Sequence, residues 1–573
     1  MVHTFPMQQI CANAWCKQGF EITDEDLKFY EKVSPVFNEK KEKIPPPTQC
    51  PECRRQRRLV WHNIMHFYRR KCDRTGREIL SNVSPDKQHT VYDINAWWED
   101  SWDQHKASLS FDFGKPFFEQ FAELLLKAPI PSLHAQPSTD ENCTYTNYAL
   151  FNKNCYLIFH ANGNEDCLYG FGVKFSKNAV DVLNVFDSEI QYECIDCENC
   201  YNLCYCKDCE NCSDSLFLDD CIGCKNCIAC HNLRNAEFCV FNKKTTKEEF
   251  ERLRAAILNG SYRTYEEWRG KFDAFLSPRP RRATMIRQCE DCSGDHLYRC
   301  QNVHESFDVK DVRDGKYLDR IFNGPNSDLY DIYQFGVKVE MCYECSVVGI
   351  NAFHVCFGAL CRNEVNDILY SFFCQTCNHC FGCVGLHNQE YCILNKQYTK
   401  EEYETLVPKI IEHMRETGEW GEFFPVEISP FSYNETIAQE HFSMTQQEVE
   451  EKGWKWRNQT DEPPKVEKII PAAKLPDSIG DVPDDILNWA LKCSVTGRPF
   501  RIVKQELDFY RKMRLPVPRL HPDERHKRRI ALRNPRKLFS RSCAKCSAPI
   551  QTTYTPECPE IVYCESCYLK EVY

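Results

Sequence analysis

The sequence predicts a mainly β protein with short helices, built as two small cysteine-knuckle end modules flanking a two-part β-solenoid of about 12-residue repeats. Three observations carry the prediction. Cysteines recur at a pitch of twelve through the middle, at Cys143, Cys155 and Cys167 and again at Cys197, Cys209 and Cys221. The unit CIGCKNCIACHNLRNAEFCVFNKKTTKEEFERL at 221–253 returns at 374–406 as CQTCNHCFGCVGLHNQEYCILNKQYTKEEYETL, with 16 identities in 33. The two ends of the chain also repeat each other at a nearly fixed offset.

At 573 residues, 42% of them hydrophobic and 13% aromatic, the chain has material for about three or four packed domains rather than disorder. The expected boundaries are an end module at 1–100, a helical connector at 101–142, solenoid segments with capping helices at 143–276 and 277–420, a linker at 421–485 and the second end module at 486–573. The opening MVHTFPMQQICANAW lacks the charged, apolar and small-residue order of a secretion signal, and no stretch reaches the roughly 18 apolar residues of a membrane span. The expected address is cytoplasmic, with no membrane partner. In a reducing compartment the 38 cysteines read as metal ligands or packed thiols rather than disulfides.

The end modules are one design written twice. CKQGFEITDEDLKFYEK at 16–32 matches TGRPFRIVKQELDFYRK at 496–512 at an offset of 480, which becomes 471 through IPPPTQCPECRRQRRLVWHN and LPVPRLHPDERHKRRIALRN. In the first copy Cys11, Cys16, Cys50 and Cys53 form two close pairs, whereas the second has His521 and Glu524 opposite the latter pair and only Cys493 near the former. Conversely Cys543, Cys546, Cys564 and Cys567 make two Cys-x2-Cys pairs where the first copy keeps Cys72 beside Thr75, Asp93 and Ala96. Tetrahedral zinc takes four thiolates, and a Cys-x2-Cys knuckle supplies two from one tight turn; the ends therefore read as zinc-ribbon or treble-clef-like modules holding about two structural Zn2+ ions in all. A buried free thiol is the simpler reading for Cys72 and Cys558.

The net charge of −11 hides a charge of +8 over 54–77 and +11 over 510–546, leaving about −30 elsewhere. Guanidinium forks pair with phosphate and stack on bases, so Arg54, Arg55, Arg57, Arg58, Arg528 and Arg529 are candidates for contact with RNA or DNA. An acidic protein, or the chain's own acidic middle, would satisfy the same groups.

Twelve residues make one narrow coil, expected as two short strands and two corners, with coils stacked about 4.8 Å apart. Cysteine suits the small interior, and the neighbouring Asn and Asp suit corners. Cys197, Cys200, Cys209 and Cys212 offer four sulfurs from adjacent coils, and Cys221, Cys224, Cys227 and Cys230 invite an iron–sulfur reading, although their spacing departs from the bacterial ferredoxin run. Thiols packed as core compete with both. The uneven step from Cys167 to Cys197 predicts a coil that is not uniform. Thr246 with Glu249 and Thr399 with Glu402 read as capping boxes that open amphipathic helices covering the last coil of each segment. The stretch 97–129 reads as a packing helix, and 277–288 and 421–480 as linkers. His62, Asn63 and His66 resemble a fragment of a metal-nuclease site without completing one.

The combination of CPECRRQRRL, KCDRTG, FDFGKPFFEQF, NCSDSLFL, YCILNKQYTKEEYE and VYCESCYLKEVY is similar to a cysteine-rich family found widely in uncultivated bacteria with reduced genomes, nearly end to end. The resemblance implies no established activity. Relatives are sometimes labelled after family III acyl-CoA transferases, and no residue here matches such an enzyme. The family's fuller pattern has Cys where this chain has Ala96 and Ala179, which argues against metal at those places. Three functions follow from these readings. The first is a non-enzymatic zinc-binding scaffold that contacts nucleic acid or a protein. The others are an iron–sulfur or thiol redox protein, and an enzyme of unknown reaction in the groove between the halves.

Overall fold

The computed structural model describes residues 7–572 apart from 136–138, 323, 335, 337–338 and 459–463. It is mainly β, with twelve α-helices among the described residues, none of them long and apolar enough to cross a membrane. Parallel ladders fill the middle. From Asn147 to Val240 strands pair with the segment twelve residues on: Ile158 faces Gly170, Phe171 faces Leu183, Val185 faces Cys197, Leu203 faces Ser215 and Cys227 faces Cys239. The uneven cysteine spacing after Cys167 does not disturb this register, because Ala179, Gln191 and Leu203 continue the same column. Irregularity lies instead in a second set of ladders from Ile286 to Ile393. There Cys292 faces Val303, Val312 faces Asn326, Phe353 faces Asn366 and Cys380 faces Cys392, so the offset drifts between 11 and 14.

The turn that closes each circuit is not the expected one. Every third residue from Asn142 to Phe241 is left-handed, with φ between 47° and 70°. Left-handed corners therefore recur four times in every twelve residues, where two were expected. An L-residue loses roughly 1–2 kcal/mol in this conformation, less for Asn and Asp, and Gly adopts it freely. The corners accordingly include Asn178, Asp181, Asn184, Asp187, Asp196, Asn199 and Asn202. The residue after a corner points inward, which buries Cys194, Cys197, Cys200, Cys206, Cys209 and Cys212. So short a perimeter encloses little volume and selects slim side chains. Cys194, Cys197, Cys200 and Cys212 also bond the carbonyl nine residues on, as when Cys200 Sγ donates to the carbonyls of Glu198 (3.2 Å) and Cys209 (3.6 Å). Replacing the exposed corner Asn199 by Val should cost about 1–2 kcal/mol in denaturant unfolding, with Asn199→Gly close to neutral; equal effects would remove the conformational reason for these corners.

Each ladder ends in an antiparallel return. Lys243–Lys244 folds back on Glu237–Val240, and Lys396–Gln397 on Glu390–Ile393, so the last parallel edge is paired before the helix begins. The helix Lys400–Glu416 opens on the full capping box of Thr399 and Glu402. Before the helix Lys247–Ile257, Thr246 accepts the Glu249 N–H but the Glu249 carboxylate turns to Arg252, so that box is half made. The duplicated unit is thus a chain-reversing end.

The stretches expected as linkers are packed. Arg281–Arg282 pairs in parallel with Val562–Tyr563 of the C-terminal module. Phe423, Phe424, Phe431, Tyr433 and Ala438 are buried in the largest core, where Phe121 stacks on Phe424 at 4.6 Å. Of 97–129, only Phe117–Lys127 forms a long helix. Its first N–H groups, on Phe117 and Phe118, donate to the distant Glu419 carboxylate at 2.8 and 2.7 Å, an anion at the positive end of the helix.

The end modules dock crosswise. Pro51–Leu59 of the N-terminal module packs on the second set of ladders, and Pro522–Ala531 of the C-terminal module on the first. Arg54 and Arg58 share Asp331, and their duplicates Arg525 and Arg529 share Asp181; both aspartates are left-handed corners. One gripping device is therefore used twice, once on each set.

Candidate metal centres

Each end module gathers four sulfurs in the same way. In the C-terminal one, the hairpin of Phe539–Ser542 with Pro549–Thr552 turns just after Cys543, whose N–H donates to Ala548 O at 2.8 Å. Cys564 immediately precedes the helix Glu565–Val572, and Cys567 lies in its first turn. The Cys564 N–H donates to Cys543 Sγ at 3.2 Å, and the Sγ atoms of Cys546 and Cys564 are 3.7 Å apart. In the N-terminal module Cys11 and Cys16 lie in the turn between Met7–Ile10 and Gly19–Ile22, and Cys50 caps Pro51–Leu59. There the Cys50 N–H donates to Cys11 Sγ at 3.2 Å, and Cys16 and Cys50 Sγ are again 3.7 Å apart. In each set all four ligand atoms lie within 4.8 Å of one another.

Tetrahedral Zn–S bonds of about 2.3 Å put sulfurs about 3.8 Å apart, so each set has the dimensions for one ion. In both sets the second pair comes from a helix N-terminus, whose dipole and free N–H groups favour thiolates. Burial pushes the Cys543 thiol up, but the backbone N–H groups of Cys564, Cys546 and Lys545 outweigh it and bring it down to about 6. A hydrogen bond from Cys53 draws Cys50 down to about 5.

The two degenerate copies keep the backbone and change the partners. Cys72 stands where Cys543 does, and its Sγ accepts the N–H of Thr75 (3.4 Å) and of Asp93 (3.2 Å). Asp93 caps the next short helix through the Asn95 N–H. In the other copy His521 Nδ1 accepts the Asp523 N–H, and Glu524 pairs with Lys527. Hydrogen bonds and caps hold these ends together where four sulfurs stand in the others. His62, singled out with Asn63 and His66, is fully buried against Tyr148 and Tyr333 and faces no solvent.

The other candidates are corrected. Cys197, Cys200, Cys209, Cys212, Cys221, Cys224, Cys227 and Cys230 join no group of three or more ligand atoms within 4.8 Å among the described residues. Their thiols point along the ladder to carbonyls, as Cys224 Sγ does to Leu233 O (3.4 Å) and Cys230 Sγ to Cys239 O (3.5 Å). Corners distribute successive sulfurs around the perimeter, so close sequence spacing does not converge on an ion. The arginines face inward. Arg54 and Arg58, each 1% exposed, hold Asp331; Arg57 makes paired bonds to Glu344 at 2.8 and 2.9 Å; Arg55 bonds Asp319 at 2.8 Å; and buried Arg529 bonds Asp181 at 2.8 Å. Guanidinium groups so engaged are not offered to a phosphate, and of the six only Arg528 is exposed.

One group of metal-type ligands escaped the sequence reading: Asp196, Asp208 and His296. The aspartates are twelve apart in one corner column, a signal present in the sequence, but nothing there ties them to a histidine on the other set of ladders. Compared with known proteins, the chain matches no family model and no curated sequence.

Proposed function

We propose that the chain is a non-enzymatic zinc-binding scaffold, a two-part β-solenoid gripped at its two parts by treble-clef-like Zn2+ modules. The observation that carries this reading is the pair of four-sulfur sets, each of a size for one ion; the N-terminal set stands at the root of the gripping helix Pro51–Leu59, and the C-terminal set at the root of Glu565–Val572, whose Tyr568 hydroxyl donates to the corner Asp220 at 2.7 Å. The twelve-residue register and the paired terminal edges support the solenoid. Sulfurs 3.7 Å apart suit a single ion better than a cluster whose thiolates are spread over several irons. All 38 thiols are unpaired, which suits a reducing, cytoplasmic setting and the cysteine-rich family that the sequence resembles.

Elemental analysis with a visible spectrum tests the proposal. Colourless protein carrying two zinc ions in sulfur sites supports it. Brown protein with iron and acid-labile sulfide would replace it with the redox reading.

A further inference from the structure

Where the two sets of ladders face each other, the corner residues Asp196 and Asp208 of the first meet the corner residue His296 of the second. We propose that these three hold a divalent metal ion through oxygen and nitrogen, separate from the sulfur sets, with open coordination positions facing the adjoining cavity. Their ligand atoms all lie within 4.8 Å of one another. Backbone geometry fixes them: φ is 50° at Asp196, 53° at Asp208 and 54° at His296, and the first two occupy adjacent circuits of one rigid ladder.

The surroundings are those of a built site. His296 Nε2 lies 2.9 Å from Asp208 Oδ1 and 3.9 Å from Asp196 Oδ2, while Nδ1, on the far edge of the ring, lies 3.4 Å from Asp295 Oδ1. A carboxylate behind the imidazole is the usual support of a metal-bound histidine, since it fixes the tautomer and turns the other nitrogen to the ion. Asp295 is itself held, its Oδ1 accepting the Met285 N–H (2.7 Å) and its Oδ2 the Thr553 hydroxyl (2.7 Å). Asp196 is oriented by Asn184 Nδ2 on Oδ1 (2.8 Å) and Arg533 Nε on Oδ2 (2.7 Å), and each oxygen keeps a second lone pair.

Asp208 and His296 also line a cavity of about 430 Å³, whose walls include Lys207, His231, Arg281 and Tyr554. Three protein ligands beside open space are the arrangement of a reactive or exchangeable ion, in contrast to closed four-thiolate sites. One imidazole with two carboxylates suits Mn2+, Fe2+, Co2+ or Zn2+ and excludes the soft cations that thiolates prefer.

The test uses Mn2+, a poor ion for thiolates, on the full chain with its zinc retained. Calorimetry and electron paramagnetic resonance should show one saturable Mn2+ per chain. His296→Gln and Asp208→Asn should each weaken it at least about tenfold while zinc content stays unchanged. No saturable binding by the folded wild type, or unaltered binding in either folded variant, overturns the proposal. If a variant does not fold, Co2+ added to the zinc-loaded wild type decides: visible bands free of sulfur charge transfer support the site, and charge-transfer bands or no bound Co2+ overturn it. Failure of the zinc reading would show separately, in the zinc content.

Discussion

Cys53→Ser is expected to release one metal ion per chain and to unfold the N-terminal module. Structural zinc contributes roughly 10–16 kcal/mol to the folding of small zinc-finger units near neutral pH. The ion sits where it positions the whole docking helix, because Pro51–Leu59 is anchored at its start by Cys50 and Cys53 and carries Arg54, Arg57 and Arg58 into the second set of ladders. Hydrogen exchange should therefore lose protection across 7–59, and elemental analysis should show one sulfur-bound zinc fewer per chain. Cys567→Ser should do the same at the other end. Cys72→Ser is the control: its sulfur accepts two backbone hydrogen bonds, each worth about 0.5–1.5 kcal/mol, so metal content should not change. Equal metal content in Cys53→Ser and wild type would contradict the assignment.

Asp331→Asn should cost about 3–5 kcal/mol, the usual result of removing one partner from a buried ion group. Its carboxylate is fully buried and holds two guanidinium groups, so the substitution leaves Arg54 with Glu344 at 3.7 Å and removes the 3.1 Å ion pair of Arg58. Urea unfolding of the variant should begin with the N-terminal module. Asp181→Asn should loosen the C-terminal module, though Arg525 retains Glu506 at 3.4 Å. A loss below about 1 kcal/mol, typical of an exposed pair, would show that the grip does not hold the ends in place.

Several features were legible because their determinants are local. Cys11, Cys16, Cys50 and Cys53 lie within one module, and thiolate pairs at turn spacing point to one ion. Thr399 and Glu402 stand three apart and make the box their spacing implies. The spacing of twelve was legible because parallel strands pair residues twelve apart and set like residues in columns, but the left-handed corner at every third residue was hidden. Phe151, Phe175 and Ile190 occupy left-handed corners that their own preferences disfavour, and the ladder bonds on either side impose the conformation. The arginines illustrate another limit. A guanidinium destined for burial has the same letter as one bound for solvent, and the partner of Arg54 is 277 residues away. Asp196 and His296 meet for the same long-range reason.

On the proposed function, four sulfurs in each end module share one zinc ion. Zinc-edge X-ray absorption on the purified chain, with no metal added, measures this directly. Two zinc ions per chain are expected, each in a shell of four sulfurs at about 2.3 Å. A shell dominated by nitrogen and oxygen, or fewer than two metal ions per chain, would contradict it.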